Sequence, residues 1–393
     1  MSDPTALIGA WARSAVAPHG GAFRTLHPHE IAAPVVRALL ARAGIGAQAV
    51  DAVVLGNALG AGGNPARMVA LAAGLPERCA AFSVDTQCCS GVDAVSMAVG
   101  LLASGQASVV IAGGVEAWSR APIRQLRPLH DGEPAIAYDR PAFSPDPSRD
   151  PDLLVSAAHY AQEHDFSRAE QDAYAVLSHQ RATTHASTLA LEIVPIHDLD
   201  RDAYPRPTSL ARAARMPVAV RGALGEDAAW PQETADCSVS TLAISTRADG
   251  AALVLLASSQ ACQEHGIAPQ AAWVSSASVG CDSARPLIAA EKAAVAALLR
   301  AGLPSIEGMS VIELHDAFAV QGLSFCKAFG IDPARINRLG GGLARGHPIG
   351  ASGAVALVRL LSDLQRDEKA GARGLVAVAG AGGIGAAAIV ERL

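Results

Sequence analysis

Residues 340–364 read "GGGLARGHPIGASGAVALVRLLSDL", a glycine-rich loop that runs directly into a pattern of helical period. The loop places the imidazole of His347 at a backbone turn, between Gly346 and Pro348. A histidine held at such a turn is a candidate general base. The alternative is a polar surface or capping histidine, and the spacing alone leaves both interpretations open.

A second stretch leads from a turn into a helix pattern in the same way. Residues 85–105 read "DTQCCSGVDAVSMAVGLLASG" and set two cysteines side by side. Cys88 is predicted at the helix start, where the helix dipole and the free N–H groups favour a thiolate and can bind an oxyanion. The alternative is that Cys88 and Cys89 are ordinary small buried residues.

A third stretch, "VIELHDAFAVQ" at 311–321, carries His315 and Asp316 directly after a strand-like run. Active groups of α/β folds favour the C-terminal ends of strands. His315 is therefore a third candidate, and its alternative is a core polar residue bonded to the backbone.

Length and composition set the class of protein. The 393 residues are enough for two or three units with their own cores, and 50% of them are hydrophobic. The formal net charge of -6 provides no basic field, so we expect no nucleic-acid partner. The first thirty residues lack the pattern of a secretory signal, which predicts a cytoplasmic protein.

Two further patterns bear on the environment of the chain. The apolar run at 374–390 has a glycine cluster in its middle, which predicts two buried strands around a tight turn and no membrane span. The seven cysteines show no metal-ligand spacing, so we expect reduced thiols and no metal site.

Short β-rich runs alternate with helical patterns, which predicts an α/β protein with buried, largely parallel sheets. Between 119 and 248 prolines cluster and polar residues increase, so this segment is predicted to be a lid-like inserted loop domain. Strand-like character returns at 249–260. The chain is therefore divided into an N-terminal half, 1–260, which contains the insertion, and a C-terminal half, 261–393.

Together these stretches resemble the thiolase family, and the match covers almost the whole chain. The segments that carry it are "NPARMVALAAGLP" (64–76), "CCSGVDAV" (88–95), "VVIAGGVEAWSRAP" (109–122), "FSRAEQDAYAVLSHQRA" (166–182), "HDAFAVQ" (315–321) and "GGGLARGHPIGASGA" (340–354). The resemblance implies a thiolase fold: two related α/β halves, each with a five-stranded sheet, in five layers. It also implies a homodimer or homotetramer, a coenzyme A thioester substrate, and no permanently bound cofactor.

Carried over by motif, the resemblance implies roles for individual residues. The family's nucleophilic cysteine falls on Cys88, and the histidine that helps to deprotonate it and to polarise the thioester oxygen falls on His347. The asparagine of the family's N-E-A-F motif is here His315. The backbone N–H groups of Cys88 and Ala381 are expected to form an oxyanion hole.

The sequence departs from the family at a second catalytic cysteine, which moves the proton of the acetyl α-carbon. The matching residue is Ala379, and an alanine side chain cannot transfer a proton.

For coenzyme A, the resemblance points to Ser245, and Leu153 and Leu154 stand where a Met-Gly pair commonly lines the pantetheine tunnel. An arginine cluster suits the phosphates of the coenzyme, with a solvated face as the alternative. Its members are Arg201, Arg206, Arg212, Arg215 and Arg221.

Three functions remain after these observations. The first is a thiolase-type acyl-CoA acyltransferase that forms an acyl-enzyme on Cys88 and makes or cleaves a 3-ketoacyl-CoA. The second is a decarboxylative condensing enzyme similar to ketoacyl synthases, which needs no second cysteine. The third is a thiolase-like subunit that binds acyl-CoA without turnover, since fold does not fix function. The acyl chain, the physiological direction and the pathway stay open.

Overall fold

A long mixed sheet is the main feature of the computed structural model, which describes residues 6–60, 62–221 and 236–393. The strands in these ranges are β1 Leu7–Ser14, β2 Ala17–Pro18, β3 Ala52–Gly56, β4 Ala80–Val84, β5 Val109–Ala117, β6 Arg124–Leu126, β7 Ile136–Tyr138, β8 Ile193–Val194, β9 Val218–Val220, β10 Val239–Ser240, β11 Ala248–Ala257, β12 Ala271–Gly280, β13 Met309–His315, β14 Arg373–Gly380 and β15 Ile384–Arg392. The helices are α1 Pro28–Ala43, α2 Pro65–Ala73, α3 Ser90–Ala103, α4 Leu153–Glu163, α5 Arg168–Thr184, α6 Ala186–Ala190, α7 Leu210–Ala213, α8 Ser259–His265, α9 Ala289–Arg300, α10 Ala319–Phe329, α11 Gly342–Arg345 and α12 Ser352–Asp367.

The strand order is β13-β14-β15-β12-β1-β11-β5-β3-β4, with β2 beside β11 and β8 beside β1. The first half supplies β1, β11, β5, β3 and β4, and the second half supplies the other four. A short antiparallel contact between β1 and β12 joins them. At the free edge of β13, Ile336 forms a single parallel bridge with Ile312, in the position that a fifth strand of the second half would take.

The expectation of largely parallel sheets is wrong. Only β3 with β4 and β5, β13 with β14, and the short β8 with β1 pair in parallel among the described strands. The pairs β1–β11, β5–β11, β12–β15 and β14–β15 are antiparallel. Strands buried on both faces have no polar alternation, so their apolar runs do not reveal the direction of pairing.

Helices cover the sheet in layers, as expected. Helices α3 and α12 contribute to a central apolar cluster together with strands of both halves. Helices α1 and α2 pack on the outer side of the first half, and α9 and α10 pack on that of the second half. The result is five layers, with α3 and α12 in the middle, and these two helices follow the two loops of interest.

The prediction about the apolar run is confirmed. The run at 374–390 forms β14 and β15 around a turn at Gly382 and Gly383, whose φ angles are 79° and 75°. All seven cysteines are free. Among the described residues, no helix has the length and apolar character needed to cross a membrane.

Candidate active site

Cys88 lies in a short 3₁₀ turn, Gln87–Cys89, that immediately precedes α3. The residue before it, Gln87, has φ of 54°, a strained conformation for a residue with a side chain. The hydroxyl of Ser90 accepts from the N–H of Thr86 at 2.9 Å and donates to the carbonyl of Gln87 at 2.6 Å. These bonds hold the turn, and so fix the direction of the thiol.

The structure brings the three predicted catalytic side chains together. Nε2 of His347 lies 3.2 Å from Sγ of Cys88. Nδ1 of the same ring lies 2.6 Å from Nε2 of His315 and 2.7 Å from the hydroxyl of Ser352. The two imidazoles are stacked, with centroids 4.5 Å apart and planes at 22°. The thiol, both histidines and Ser352 therefore form one connected chain.

The backbone fixes the imidazole of His347 in place. The N–H of His347 donates to the carbonyl of Thr246 at 2.7 Å, and its carbonyl accepts from Ala248 at 3.3 Å. For Nε2 to take the thiol proton, Nδ1 must carry the ring proton and donate it to Ser352 or His315. Ser352 and His315 can both accept that proton, so the contacts of Nδ1 are compatible with the tautomer that acts as a base toward Cys88.

Burial controls the protonation of the site. It raises the pKa of the Cys88 thiol to about 12, against hydrogen bonds from the N–H groups of Ala381 and Cys88 that lower it. Burial also lowers the pKa of His347 to about 4. The pKa of His315 is well below its usual value, because of burial and then of the charges of His347 and Arg345. At neutral pH the site therefore holds a neutral thiol beside neutral imidazoles.

The two backbone groups expected to form the oxyanion hole converge on the same sulfur. The backbone N–H groups of Ala381 and Cys88 lower the pKa of the Cys88 thiol, against the burial that raises it. Ala381 begins the turn between β14 and β15. Both groups therefore act on the atom that would carry the acyl group.

Neither Ala379 nor Cys89 provides a second thiol beside the imidazoles. Ala379 lies at the end of β14, 6% exposed and part of the outer apolar cluster of the second half. Sγ of Cys89 approaches the carbonyls of Val378 and Ile384 at 3.6 and 3.7 Å, and burial raises its pKa well above the usual range. Cys89 thus faces the sheet backbone.

Ser245, predicted to lie along coenzyme A, is 8% exposed. Its hydroxyl donates to the carbonyl of Gly342 at 2.6 Å, just before the loop that holds His347. The Ser245 side chain is therefore committed to supporting that loop. Leu153 is the first residue of α4 and packs, half-buried, against the outer cluster of the second half.

Arg215 is exposed just after α7, and Arg212 and Arg221 are exposed as well. Arg201 pairs with Asp200 at 3.1 Å, and the guanidinium of Arg206 lies 4.3 Å from the ring centroid of Tyr204. Asp202 is the one carboxylate residue in the sequence between Arg201 and Arg221. It accepts two hydrogen bonds from the buried Arg13, at 2.6 and 2.9 Å. Its charge is therefore already balanced and does not neutralise the arginine cluster.

Sequence reasoning missed Glu116, a buried carboxylate on β5. It accepts from the N–H of Gly350, the N–H of Ala58 and the side-chain amide of Asn57, each at 3.0 Å. Burial raises its pKa to about 7. Glu116 thereby ties β5 to the loop that follows His347. A charged residue inside the apolar run 109–117 was the available signal.

Glycines explain how the loops that carry Cys88 and His347 come so close. A methyl group on Gly56 would lie 2.5 Å from the carbonyl oxygen of Gly350, and one on Gly91 would lie 2.7 Å from the N atom of Ala354. One on Gly350 would lie 2.6 Å from Cα of Asn57. Backbone therefore packs directly on backbone where the Cys88 and His347 loops meet.

Comparisons with known proteins agree with this arrangement. A family model described as "Thiolase, N-terminal domain" matches residues 6–260, and one described as "Thiolase, C-terminal domain" matches 267–392. The acetyl-CoA acetyltransferase of Rhizobium meliloti is 34% identical, with all of both chains covered. The β-ketoadipyl-CoA thiolase of Pseudomonas aeruginosa is 33% identical over 97% of each chain.

A solved structure shows the same likeness in three dimensions. The acetyl-CoA acetyltransferase of Bacillus anthracis aligns with a TM-score of 0.86 and 28% identity over 99% of each chain. Fold and sequence together define a class of two-halved α/β enzymes. This chain belongs to the thiolase family.

Proposed function

We propose that the protein is a thiolase-type acyl-CoA acyltransferase that carries the acyl group on Cys88. The observation that supports this most directly is the 3.2 Å approach of His347 Nε2 to Sγ of Cys88. The backbone N–H groups of Cys88 and Ala381 both lower the pKa of the same thiol. A nucleophile, a base and oxyanion donors are the parts that acyl transfer needs.

The first half-reaction follows from this geometry. As Sγ attacks the thioester carbonyl, the thiol proton moves to Nε2 of His347. The carbonyl oxygen becomes an oxyanion near the N–H groups of Cys88 and Ala381. When the carbon–sulfur bond to coenzyme A breaks, the leaving thiolate takes the proton back from His347. The products are free coenzyme A and an acyl thioester on Cys88.

The second half-reaction would make or cleave a 3-ketoacyl-CoA. In the direction of cleavage, Cys88 attacks the 3-keto carbonyl, the carbon–carbon bond breaks, and acetyl-CoA leaves after its α-carbon has taken a proton. The acyl group then leaves Cys88 on an incoming coenzyme A thiol. The names of the relatives, acetyl-CoA acetyltransferase and β-ketoadipyl-CoA thiolase, support this class of reaction. Ala379 provides no group to move the α-carbon proton, so that role falls to another residue or becomes unnecessary.

The replacement at Ala379 also supports a second candidate function. In decarboxylative condensation, loss of carbon dioxide generates the carbanion, and no base is required at the α-carbon. Cys88 with His315 and His347 would suffice for that reaction. The intact chain of contacts through these three residues opposes the third possibility, a subunit that binds acyl-CoA without turnover.

The experiment is intact-mass analysis after incubation with acetyl-CoA, followed by peptide mapping. We expect an acetyl group on Cys88 in the wild type and in Cys89→Ala, and none in Cys88→Ala. Acetylation at Cys89, or full labelling of Cys88→Ala, would contradict the proposal. Product detection with acetoacetyl-CoA and with malonyl-CoA then separates thiolysis from decarboxylative condensation.

We further propose that the protein acts as a homodimer or homotetramer in the cytoplasm, with coenzyme A thioesters as its ligands. Self-association is supported by the sheet edge at β4, where Phe82 is 44% exposed. Met68 and Met97, on the neighbouring helices α2 and α3, are 46% and 51% exposed. Exposed apolar residues at an open sheet edge favour pairing. Sedimentation equilibrium measures the oligomeric state, and cell fractionation the location.

A further inference from the structure

The side chains of Trp118 and Arg247 meet beside the catalytic imidazole. Arg247 forms an isolated parallel bridge with His347, so these two side chains leave the backbone on the same face. The indole centroid of Trp118 lies 6.5 Å from the His347 ring and 5.0 Å from the guanidinium carbon of Arg247. An aromatic ring and a cation thus border the site on one side.

The same indole is continuous with the apolar surroundings of the nucleophile. Trp118 and Leu59 are partly buried and pack against the central cluster that includes Cys88 and Ile349. An acyl chain on Cys88 that runs along these apolar groups toward Trp118 would end near Arg247. Apolar side chains with one placed polar group are the usual lining of a ligand pocket.

The guanidinium of Arg247 is available for a ligand. Its residue is exposed, and no carboxylate in the described ranges forms an ion pair with it. The acidic side chains on β5 and β11 are engaged elsewhere: Glu116 accepts from the N–H of Gly350, and Asp249 accepts from Ser119. An arginine stacked on an aromatic face is held in position to bind a carboxylate with two hydrogen bonds.

We infer that Trp118 and Arg247 form an acyl-end subsite that selects coenzyme A thioesters of short dicarboxylic acids, whose free carboxylate pairs with Arg247. This inference rests on the proposed acylation of Cys88 and names the substrate class of that site. Trp118 provides the apolar surface along which the acyl chain lies. Arg247 provides the positive charge that distinguishes a terminal carboxylate from a terminal methyl group.

The test compares two thioesters of equal chain length, glutaryl-CoA and valeryl-CoA, which differ only in a terminal carboxylate or methyl group. The measured quantity is the ratio of their second-order rate constants for acylation of Cys88, followed by intact mass. We expect the wild type to favour glutaryl-CoA by about tenfold or more, the effect of one hydrogen-bonded charge pair. A wild-type ratio at or below one would overturn the inference.

The variants Arg247→Met and Arg247→Lys test whether the preference for glutaryl-CoA over valeryl-CoA comes from the guanidinium of Arg247. Arg247→Met should reduce the ratio to about one, and Arg247→Lys should retain part of it. The matched control is Arg37→Met, an exposed arginine on α1 whose side chain donates to the carbonyl of Ala72, and it should keep the wild-type ratio. If Arg247→Met slows both thioesters equally, Arg247 contacts the coenzyme moiety, and the inference is wrong.

A binding measurement separates this inference from the proposed reaction. Cys88→Ala cannot be acylated, so calorimetry reports only its dissociation constants for glutaryl-CoA and valeryl-CoA. Tighter binding of glutaryl-CoA that disappears in Cys88→Ala/Arg247→Met supports the subsite even if the wild type shows no acylation. Equal binding of both thioesters refutes the subsite, whether or not Cys88 becomes acylated.

Discussion

Burial and local hydrogen bonds shift the pKa of the Cys88 thiol in opposite directions. Burial raises its pKa to about 12, and the same burial lowers the pKa of His347 to about 4. A resting ion pair is therefore unfavourable, although the two atoms are 3.2 Å apart. Proton transfer and attack on the thioester must then be coupled, because neither the free thiolate nor the free imidazolium is stable in this buried site.

The low pKa of His347 predicts an unusual pH dependence of acylation. The imidazole acts as a base only when neutral, which is the case above pH about 4. The acylation rate should therefore stay level from neutral pH down to about 5 and fall as the pH approaches 4. His347→Ala should lower the plateau by about 10²–10⁴-fold and lose this dependence. Single-turnover acylation at each pH, with circular dichroism to show folding, makes the measurement. A decline centred near 6.5 would contradict the assignment.

The contact between the two histidines was beyond sequence reasoning, although each histidine was a candidate. His315 ends a strand and His347 lies in a loop 32 residues later, so no local spacing places their rings 4.5 Å apart. Ser352 was missed because it reads as part of the glycine-rich loop. The absence of a thiol at Ala379, by contrast, follows from the sequence as soon as the motif is aligned.

Ala379 offers a gain-of-function test. In the wild type, Cys88 should become acetylated while the α-protons of acetyl-CoA exchange slowly with solvent, because no acid–base group stands at this position. Ala379→Cys should accelerate α-proton exchange and cleavage of 3-ketoacyl-CoA and leave the acylation rate nearly unchanged. The gain is limited by the pKa and angle of the new thiol. Efficient thiolysis of acetoacetyl-CoA by the wild type would show that another residue moves the proton.

At the level of elements, the site depends on contact between β3, β5 and the two loops before α3 and α12. The sequence shows the glycines that permit this contact, but it does not show which backbones they bring together. The expected α/β alternation, the strand that ends at His315 and the β14–β15 turn were predictable from periodicity and turn chemistry. Strand direction was not, because it depends on pairing between segments far apart in the chain.

Gly114 on β5 tests this packing. A methyl group there would clash with the carbonyl of Gly350 and lie 2.7 Å from Cα of Ala351, with no flexible side chain to give way. Gly114→Ala should destabilise the protein by about 1–3 kcal/mol or more and reduce acylation by displacing the loop that carries His347. Thermal denaturation and single-turnover acylation measure the two effects.

The matched control for this change is Gly100→Ala, on the exposed face of α3 with no atom within 4 Å of the added methyl group. It should stabilise the helix by about 0.5–1 kcal/mol and leave acylation unchanged. Equal behaviour of the two variants would show that the glycine contacts do not position the site.

Across the whole molecule, one buried carboxylate joins three parts of the chain. Glu192, which follows α6, accepts from Arg13 on β1 at 2.6 Å and from Arg359 on α12. Arg13 also bonds Asp202, and Arg359 also bonds Asp363. The partners of Glu192 are 179 and 167 residues away in sequence, so no local pattern identifies them. The network connects the first half, the segment around Glu192 and the second half.

Removing one charged side chain from such a network destabilises the protein by more than the intact network stabilises it. The reason is that the remaining charges stay buried without a partner. The two arginines lower the pKa of Glu192 to about 2 against the desolvation that raises it. Glu192→Gln should therefore reduce the free energy of unfolding at pH 7 by about 3–5 kcal/mol. Glu77→Gln, an exposed glutamate on the surface of the first half, is the control and should change it by less than about 0.5 kcal/mol.

The pH dependence of this loss distinguishes the charge of Glu192 from its packing. Because its folded pKa lies below the ordinary 4.5, the carboxylate stabilises the protein above pH 4.5, and this contribution falls as the pH drops toward about 2. At 1.36 kcal/mol per pKa unit, the part that titrates is about 3 kcal/mol. The difference in unfolding free energy between wild type and Glu192→Gln, from urea denaturation at pH 7, 5 and 4, should shrink as the pH falls. If this difference in unfolding free energy does not change with pH, the loss in Glu192→Gln comes from altered packing. The charge of Glu192 would then not be what stabilises the protein.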